Sequence, residues 1–193
     1  VAAPYTTAAT VRSQVPPLVN PDNFSDELLD SYIAEFEGIC EEYRGVAFTP
    51  RDTSETVLLG RSGAVLLTWP QVRSIASVTV DGTALTPEQY EADLSGRIFG
   101  LAGKRAVVAY SHGFDPPPAP PYGPAVVRAT VQYVRAVALA DQSNVGRDVI
   151  AQTYEGMTLR YSTPDKRAGR PTGFVEVDRL LNSLPDYRIP GIG

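Results

Sequence analysis

Hydrophobic positions follow two periods along this chain: stretches that repeat at helical spacing, and between them stretches with the two-residue alternation of strands. The most apolar helical stretch is Pro124–Gln142, PAVVRATVQYVRAVALADQ. On a helical wheel Arg128, Gln132, Arg135 and Gln142 fall on one narrow stripe. Ala125, Val126, Val127, Ala129, Val131, Tyr133, Val134, Val137, Ala138 and Leu139 cover nearly everything else. A helix this apolar must be wrapped, by the rest of the chain or partly by another subunit. Pro124 sits in the first turn, where its missing N–H costs nothing, and Asp141-Gln142-Ser143-Asn144 and Gly146 signal the end. At about 1.5 Å per residue the helix is roughly 28 Å long.

A second helix is predicted over 25–44. Ser25 is its N-cap, Asp26 and Glu27 suit the first turn, and Gly45 ends it. Leu29, Tyr32, Ile33, Phe36, Cys40 and Tyr43 form its apolar stripe, while Asp26, Asp30, Glu37 and Glu41 line another face. That acidic stripe is a solvated face or an electrostatic contact for Arg128 and Arg135, within or between subunits. Residues 1–24 read as an extended arm in which Thr6 or Thr7 could cap a short helix through about Ser13. After Phe48 the period changes. Thr56–Leu59, Ala64–Trp69, Val72–Val80, Thr83–Leu85, Tyr90–Ala92, Arg97–Phe99 and Arg105–Tyr110 read as short strands, with Asp81-Gly82 the strongest hairpin signal. They predict a small antiparallel sheet or sandwich inserted at about 55–112. Asp115–Pro121, DPPPAPP, is a stiff connector into the central helix. A hairpin over about 149–161, a polar loop Ser162–Thr172 carrying Lys166, Arg167 and Arg170, and a closing helix over 174–184 follow. Residues 185–193 have no regular pattern yet keep Tyr187, Ile189 and Ile192. The predicted fold is α+β: a helical core over 25–184 with an inserted antiparallel β domain and extended termini.

Composition narrows the function. The net charge of −5 argues against tight nonspecific nucleic-acid binding, which needs a clustered basic face. The single cysteine, Cys40, excludes an internal disulfide and falls on the apolar face of its helix, the place of a buried inert thiol. No apolar run reaches the ~18–20 residues of a membrane-spanning helix, and the first residues lack the pattern of a signal peptide. The start at Val1 reads as initiator removal or trimming. The single histidine, His112, ends a strand, where a locally hydrogen-bonded turn residue is expected rather than a base. Gly60-Arg61-Ser62-Gly63-Ala64 fails as a nucleophile elbow, because its fifth residue is alanine and a strand follows. No phosphate-binding glycine motif and no zinc-ligand spacing is present. The expectation is no catalytic residue, no cofactor and no metal, hence no enzyme. The basic loop Arg160–Arg170 reads as a surface loop or a contact for an acidic partner.

The order of the parts carries a resemblance. An acidic amphipathic helix ends in Tyr43-Arg44-Gly45. Then come SIASVTVDGTALTPEQYE, the element VVAYSHGFD-PPP-AP running into an Ala/Val helix, and TPDKRAGRPTGFVEVDRLLNSL. Over residues 25–184 this resembles the head-to-tail adaptor (head-completion or connector) proteins of long-tailed bacteriophages, its most specific pieces being Ser77–Thr83, Tyr110–Pro117 and Thr172–Leu181. The resemblance implies a structural virion protein at the head–tail junction, made in the host cytoplasm. Its copies would form a twelve-fold ring beneath the portal, extend the DNA channel, and present the far side to a stopper or tail-completion protein. DNA would pass without sequence-specific binding, and no membrane is involved. On the residues themselves, Tyr187, Arg188, Ile189 and Ile192 are the candidate portal contacts. Arg128, Gln132, Arg135, Asp30 and Glu37 are candidates for a subunit interface or the channel wall. The competing reading is a monomeric protein-binding module, a β domain on a helical stalk.

Overall fold

The computed structural model describes residues 4–114, 123–142, 151–154, 157–160 and 169–187. Contacts divide the chain into two units. One takes residues 4–44 and 120–185, the other 45–119 with both chain ends.

The first unit is helical. Helix α1 (Ala8–Gln14) is capped by Thr7, whose side chain accepts from the Thr10 N–H at 3.2 Å. Helix α2 (Asp26–Arg44) starts where Ser25 Oγ accepts from the Leu28 N–H, the predicted cap. Helix α3 (Gly123–Gln142) is the predicted central helix, and α4 (Val175–Ser183) the predicted closing one. α3 is covered by α2 and α4, with a smaller contact from α1. Val126, Ala129, Val134 and Ala138 are fully buried. Phe36 of α2 lies against Tyr133 of α3 with ring centroids 5.2 Å apart, and Phe174 meets the same ring edge-on at 6.0 Å. The polar tip of Tyr32 finds Asp141 Oδ2 at 2.6 Å. In the last turn of α2, Arg44 donates to the Leu184 carbonyl at 2.6 Å and Tyr43 to Asn182 Oδ1 at 2.7 Å. Strands β8 (Ala151–Tyr154) and β9 (Met157–Arg160) form a two-stranded antiparallel ribbon within the predicted hairpin, whose residues 149, 150, 155, 156 and 161 lie outside the described residues.

The N-terminal arm differs from expectation. It is no extended tail: Tyr5, Ala8, Val11, Val15 and Leu18 are buried. The acidic stripe of α2 is what holds it. Glu37 Oε1 accepts from the Tyr5 backbone N–H at 2.5 Å, Glu41 accepts from the Tyr5 hydroxyl at 3.1 Å, and Asp26 pairs with Arg12. Three of the four acids that the wheel placed on a solvated face are thus occupied by the same chain. The apolar spacing of three to four residues from Tyr5 to Leu18 carried that signal.

The second unit is β. Strand β1 (Arg51–Leu58) begins five residues earlier than predicted, β2 shrinks to Val65–Leu66, and β3 (Val72–Val80) is as predicted. β4 (Thr83–Ala84), β5 (Glu91–Ala92), β6 (Arg97–Phe99) and β7 (Arg105–His112) complete it. One sheet has the order β1-β7-β3-β4 and the other β2-β6-β5. Val78, Val80, Val108 and Tyr110 of the first share a core with Val65, Leu67, Ile98 and Leu101 from the second sheet and its flanks, the small sandwich expected. β1 runs longer because an edge strand tolerates the polar sequence Arg51–Glu55 while its inner backbone groups pair with β7. Asp81 and Gly82, at φ 48° and 88°, make the predicted two-residue turn, and the Asp81 carboxylate accepts from the N–H groups of Lys104 and Arg105. The run 115–121 lies outside the described residues.

Candidate functional site

The polar stripe of α3 leads to a cleft. Gln132, Arg135, Ala136 and Leu139 form one wall; Arg170 and the segment Gly173–Val177 form the other. The groove between them holds about 400 Å³. It exists because α3, apolar on most faces, places three polar side chains on successive turns. Arg128 and Arg135 are exposed and Gln132 is half-buried. The opposite wall is held rigid by a side-chain clamp. Asp178 Oδ1 accepts from the Thr172 N–H at 3.0 Å and from its hydroxyl at 2.7 Å, and Thr172 Oγ1 accepts from the Phe174 N–H at 3.2 Å. Asp178 Oδ2, buried beside them, has no hydrogen-bond partner. Glu176 and Asp178 also stand in the first turn of α4, where its dipole favours acids.

Ala136, Leu139, Phe174, Val175 and Val177 make the apolar part of the lining, and Val175 keeps 57 % of its surface exposed. Arg135, Arg170 and Glu176 add charge of both signs. Hydrocarbon beside mixed charge suits an apolar side chain presented by a protein partner. Among the described residues the lining holds no histidine, cysteine, serine or threonine that could pair with Glu176 as nucleophile and base. Among the described residues, no three histidine, cysteine, aspartate or glutamate side chains stand together as a metal site would need, and no helix is long and apolar enough to cross a membrane.

The other predicted site residues are scattered. Asp30 is exposed on α2, and Glu37 is turned inward to Tyr5. Among the described residues no ion pair joins Arg128 or Arg135 to Asp30 or Glu37. Tyr187 is half-buried, its ring edge-on to Phe114 at 6.0 Å. Arg188, Ile189 and Ile192 lie outside the described residues, as does the basic loop 161–168.

His112 departs from the predicted turn residue. Its ring is buried, stacked on Trp69 at 5.2 Å and 9°, with Tyr110 at 5.6 Å, and its Nδ1 has no hydrogen-bond partner. Burial, and then the nearby Arg51 charge, push its pKa down to about 4. Tyr110 donates to Glu55 Oε1 at 3.1 Å, and burial keeps its hydroxyl protonated. Cys40 is fully buried and its thiol is held protonated by that burial, as expected. The wall Thr172–Val177 was missed as a site. Its signal was Phe174 and Val175 side by side at the start of a helix that needs only one apolar face.

No protein-family model matches this chain, and no curated protein matches its sequence. Its fold does have a solved counterpart. The chain is similar to one in a structure described as "Neck of empty GTA particle computed with C6 symmetry", with a TM-score of 0.60 and 14 % identity, over 99 % of this chain and 98 % of that one. The two chains share their fold from end to end.

Proposed function

We propose that this chain is a structural neck protein of a phage-like particle, whose copies form a closed ring that joins the capsid portal to the tail or stopper and prolongs the DNA channel. One observation carries it: the fold is shared over nearly the whole of both chains with a chain from the neck of a gene transfer agent particle. That agrees with the order of sequence pieces that resembles the head-to-tail adaptors. A ring of twelve is compatible with the six-fold symmetry named for that neck. The net charge of −5 suits a channel through which DNA slides, because a basic lining would hold it by counterion release. In this reading the role is non-enzymatic. The groove beside Arg135 is a contact for a neighbouring subunit or neck protein, and residues 185–193, with Tyr187, Arg188, Ile189 and Ile192, reach the portal. The mass of the purified protein, alone and with portal, tests it, together with electron microscopy of the assembly. A protein that never forms rings, even with portal present, overturns it.

The second reading is a monomeric protein-binding module. The observation in its favour is the groove itself, about 400 Å³ and open on a single chain. A one-to-one complex with a partner at every concentration would select it.

A further inference from the structure

The polar stripe of α3 carries two cations that folding leaves unmatched. Arg128 and Arg135 are exposed, and among the described residues neither has an ion pair or a side-chain hydrogen bond. The groove opens beside Arg135, with Val175 57 % exposed along it. A surface of two free arginines next to exposed hydrocarbon fits a partner face that is acidic and able to come close.

α2 has such a face, separate from the acids that hold the N-terminal arm. Glu27, Ser31, Ala34, Glu35, Gly38 and Glu42 share about 100° of its circumference, and all six are exposed. Within one copy this face is turned away from α3, because Leu29, Ile33 and Phe36 on the opposite side of α2 are buried and Phe36 lies against Tyr133. Among the described residues neither Glu35 nor Glu42 has an ion pair or a side-chain hydrogen bond. Gly38 lies between them. An added Cβ there meets nothing within 4 Å, and its φ is not in the left-handed region. Neither space nor backbone conformation therefore calls for glycine, which in mid-helix costs stability relative to alanine. A bare backbone on an exposed face does let a second helix approach closely.

The spacings agree as well. Arg128 and Arg135 are seven residues apart, and so are Glu35 and Glu42. Seven helical residues are two turns, about 10.5 Å along the axis, so both pairs can form at once between two helices lying side by side. In a head-to-tail ring each copy gives one face and receives the other, which is the heterologous contact a closed ring requires.

We propose that the outer face of α2 of one copy lies along the Arg128–Arg135 stripe of α3 and its groove in the next, with Glu35 and Glu42 paired to the two arginines and Gly38 at the closest approach. The occupant is a second copy of this chain, and the inference rests on the ring reading above. Packed helix surface and Val175 would supply affinity, and the charges register, since exposed ion pairs add little by themselves.

Exchanging charge between copies tests it. One variant carries Arg128→Glu and Arg135→Glu, the other Glu35→Arg and Glu42→Arg. All four positions are exposed, so each variant should keep its thermal midpoint within about 3 °C of wild type. Each alone, with portal present, should yield at least tenfold less ring than wild type, because like charges then meet at every boundary. An equimolar mixture should restore rings: the two kinds of copy alternate, and a ring of even number closes. Separate damage to each fold could not be repaired by mixing. Gly38→Trp, which fills open space in the single chain, should also fold and assemble at least tenfold less. Wild-type ring yield from either charge variant alone overturns the proposal, as does a mixture that stays unassembled or full assembly of Gly38→Trp. Each of these results leaves the ring reading standing, because the wild-type protein forms rings in the same experiment. Absence of wild-type rings with portal defeats that reading and this contact with it.

Discussion

His112 and Trp69, the single histidine and single tryptophan of the chain, lie ring on ring. The pKa of His112 is pushed down to about 4 in the fold, against about 6.5 unfolded. Between these values the unfolded chain binds a proton that the native one does not. The contribution is therefore complete above pH ~6.5 and is lost as the pH falls towards 4. We expect a loss of about 1–3 kcal/mol across that window, the lower figure if water screens the ring. His112→Phe should flatten it, read from urea midpoints at pH 7 and pH 4.5. Emission of the lone tryptophan should change with a midpoint near 4 as its stacking partner charges. Gly113 is a second sharp residue. At φ 94° an added Cβ would lie 2.5 Å from the Thr49 carbonyl oxygen. Gly113→Ala should cost about 2–4 kcal/mol in chemical denaturation. That His112 ends a strand was legible in the sequence. That its ring lies under Trp69, more than forty positions away, was not, because stacking across strands depends on register.

At the scale of elements, the N-terminal arm is the clearest case of a segment whose role its neighbour decides. α1 is short and would not persist as an isolated helix. It is held because α2 offers it an apolar groove and three carboxylates. Leu18, fully buried, should cost about 2–5 kcal/mol as Leu18→Ala, measured by equilibrium unfolding. A change of less than about 0.5 kcal/mol would show the arm is not part of the core. The clamp before α4 makes a similar case. Thr172→Val removes the hydroxyl that Asp178 Oδ1 accepts, in a place where Oδ2 already has no partner. The expected loss is about 1–3 kcal/mol, with weakened protection of the amides of residues 172–178 in hydrogen exchange.

For the molecule as a whole, the groove beside α3 is a surface that folding leaves open. The groove yields the simplest separation of assembly from stability. Val175 is 57 % exposed at its rim, so Val175→Asp should leave the thermal midpoint within about 2 °C while weakening assembly or partner binding at least tenfold in sedimentation. Unchanged binding would remove the groove from the contact surface.

Much of this protein was written locally. The caps at Thr7 and Ser25, the Asp81-Gly82 turn, all four helices and the α+β class follow from side-chain periods and turn chemistry that act within a few residues. The Arg128–Gln132–Arg135 stripe was legible for the same reason, since three polar side chains one turn apart must share a face. What it faces was not legible. The groove needs Gly173, Phe174 and the first turn of α4, about forty residues on, to be brought against α3 and held by Thr172 and Asp178. The acidic stripe of α2 teaches the same lesson in reverse. Its charge pattern suited solvent, but a wheel shows only which side chains share a face. Tertiary packing chose the N-terminal arm as its partner, because Tyr5, Val11 and Leu18 could be buried only where Glu37 and Glu41 also satisfied Tyr5.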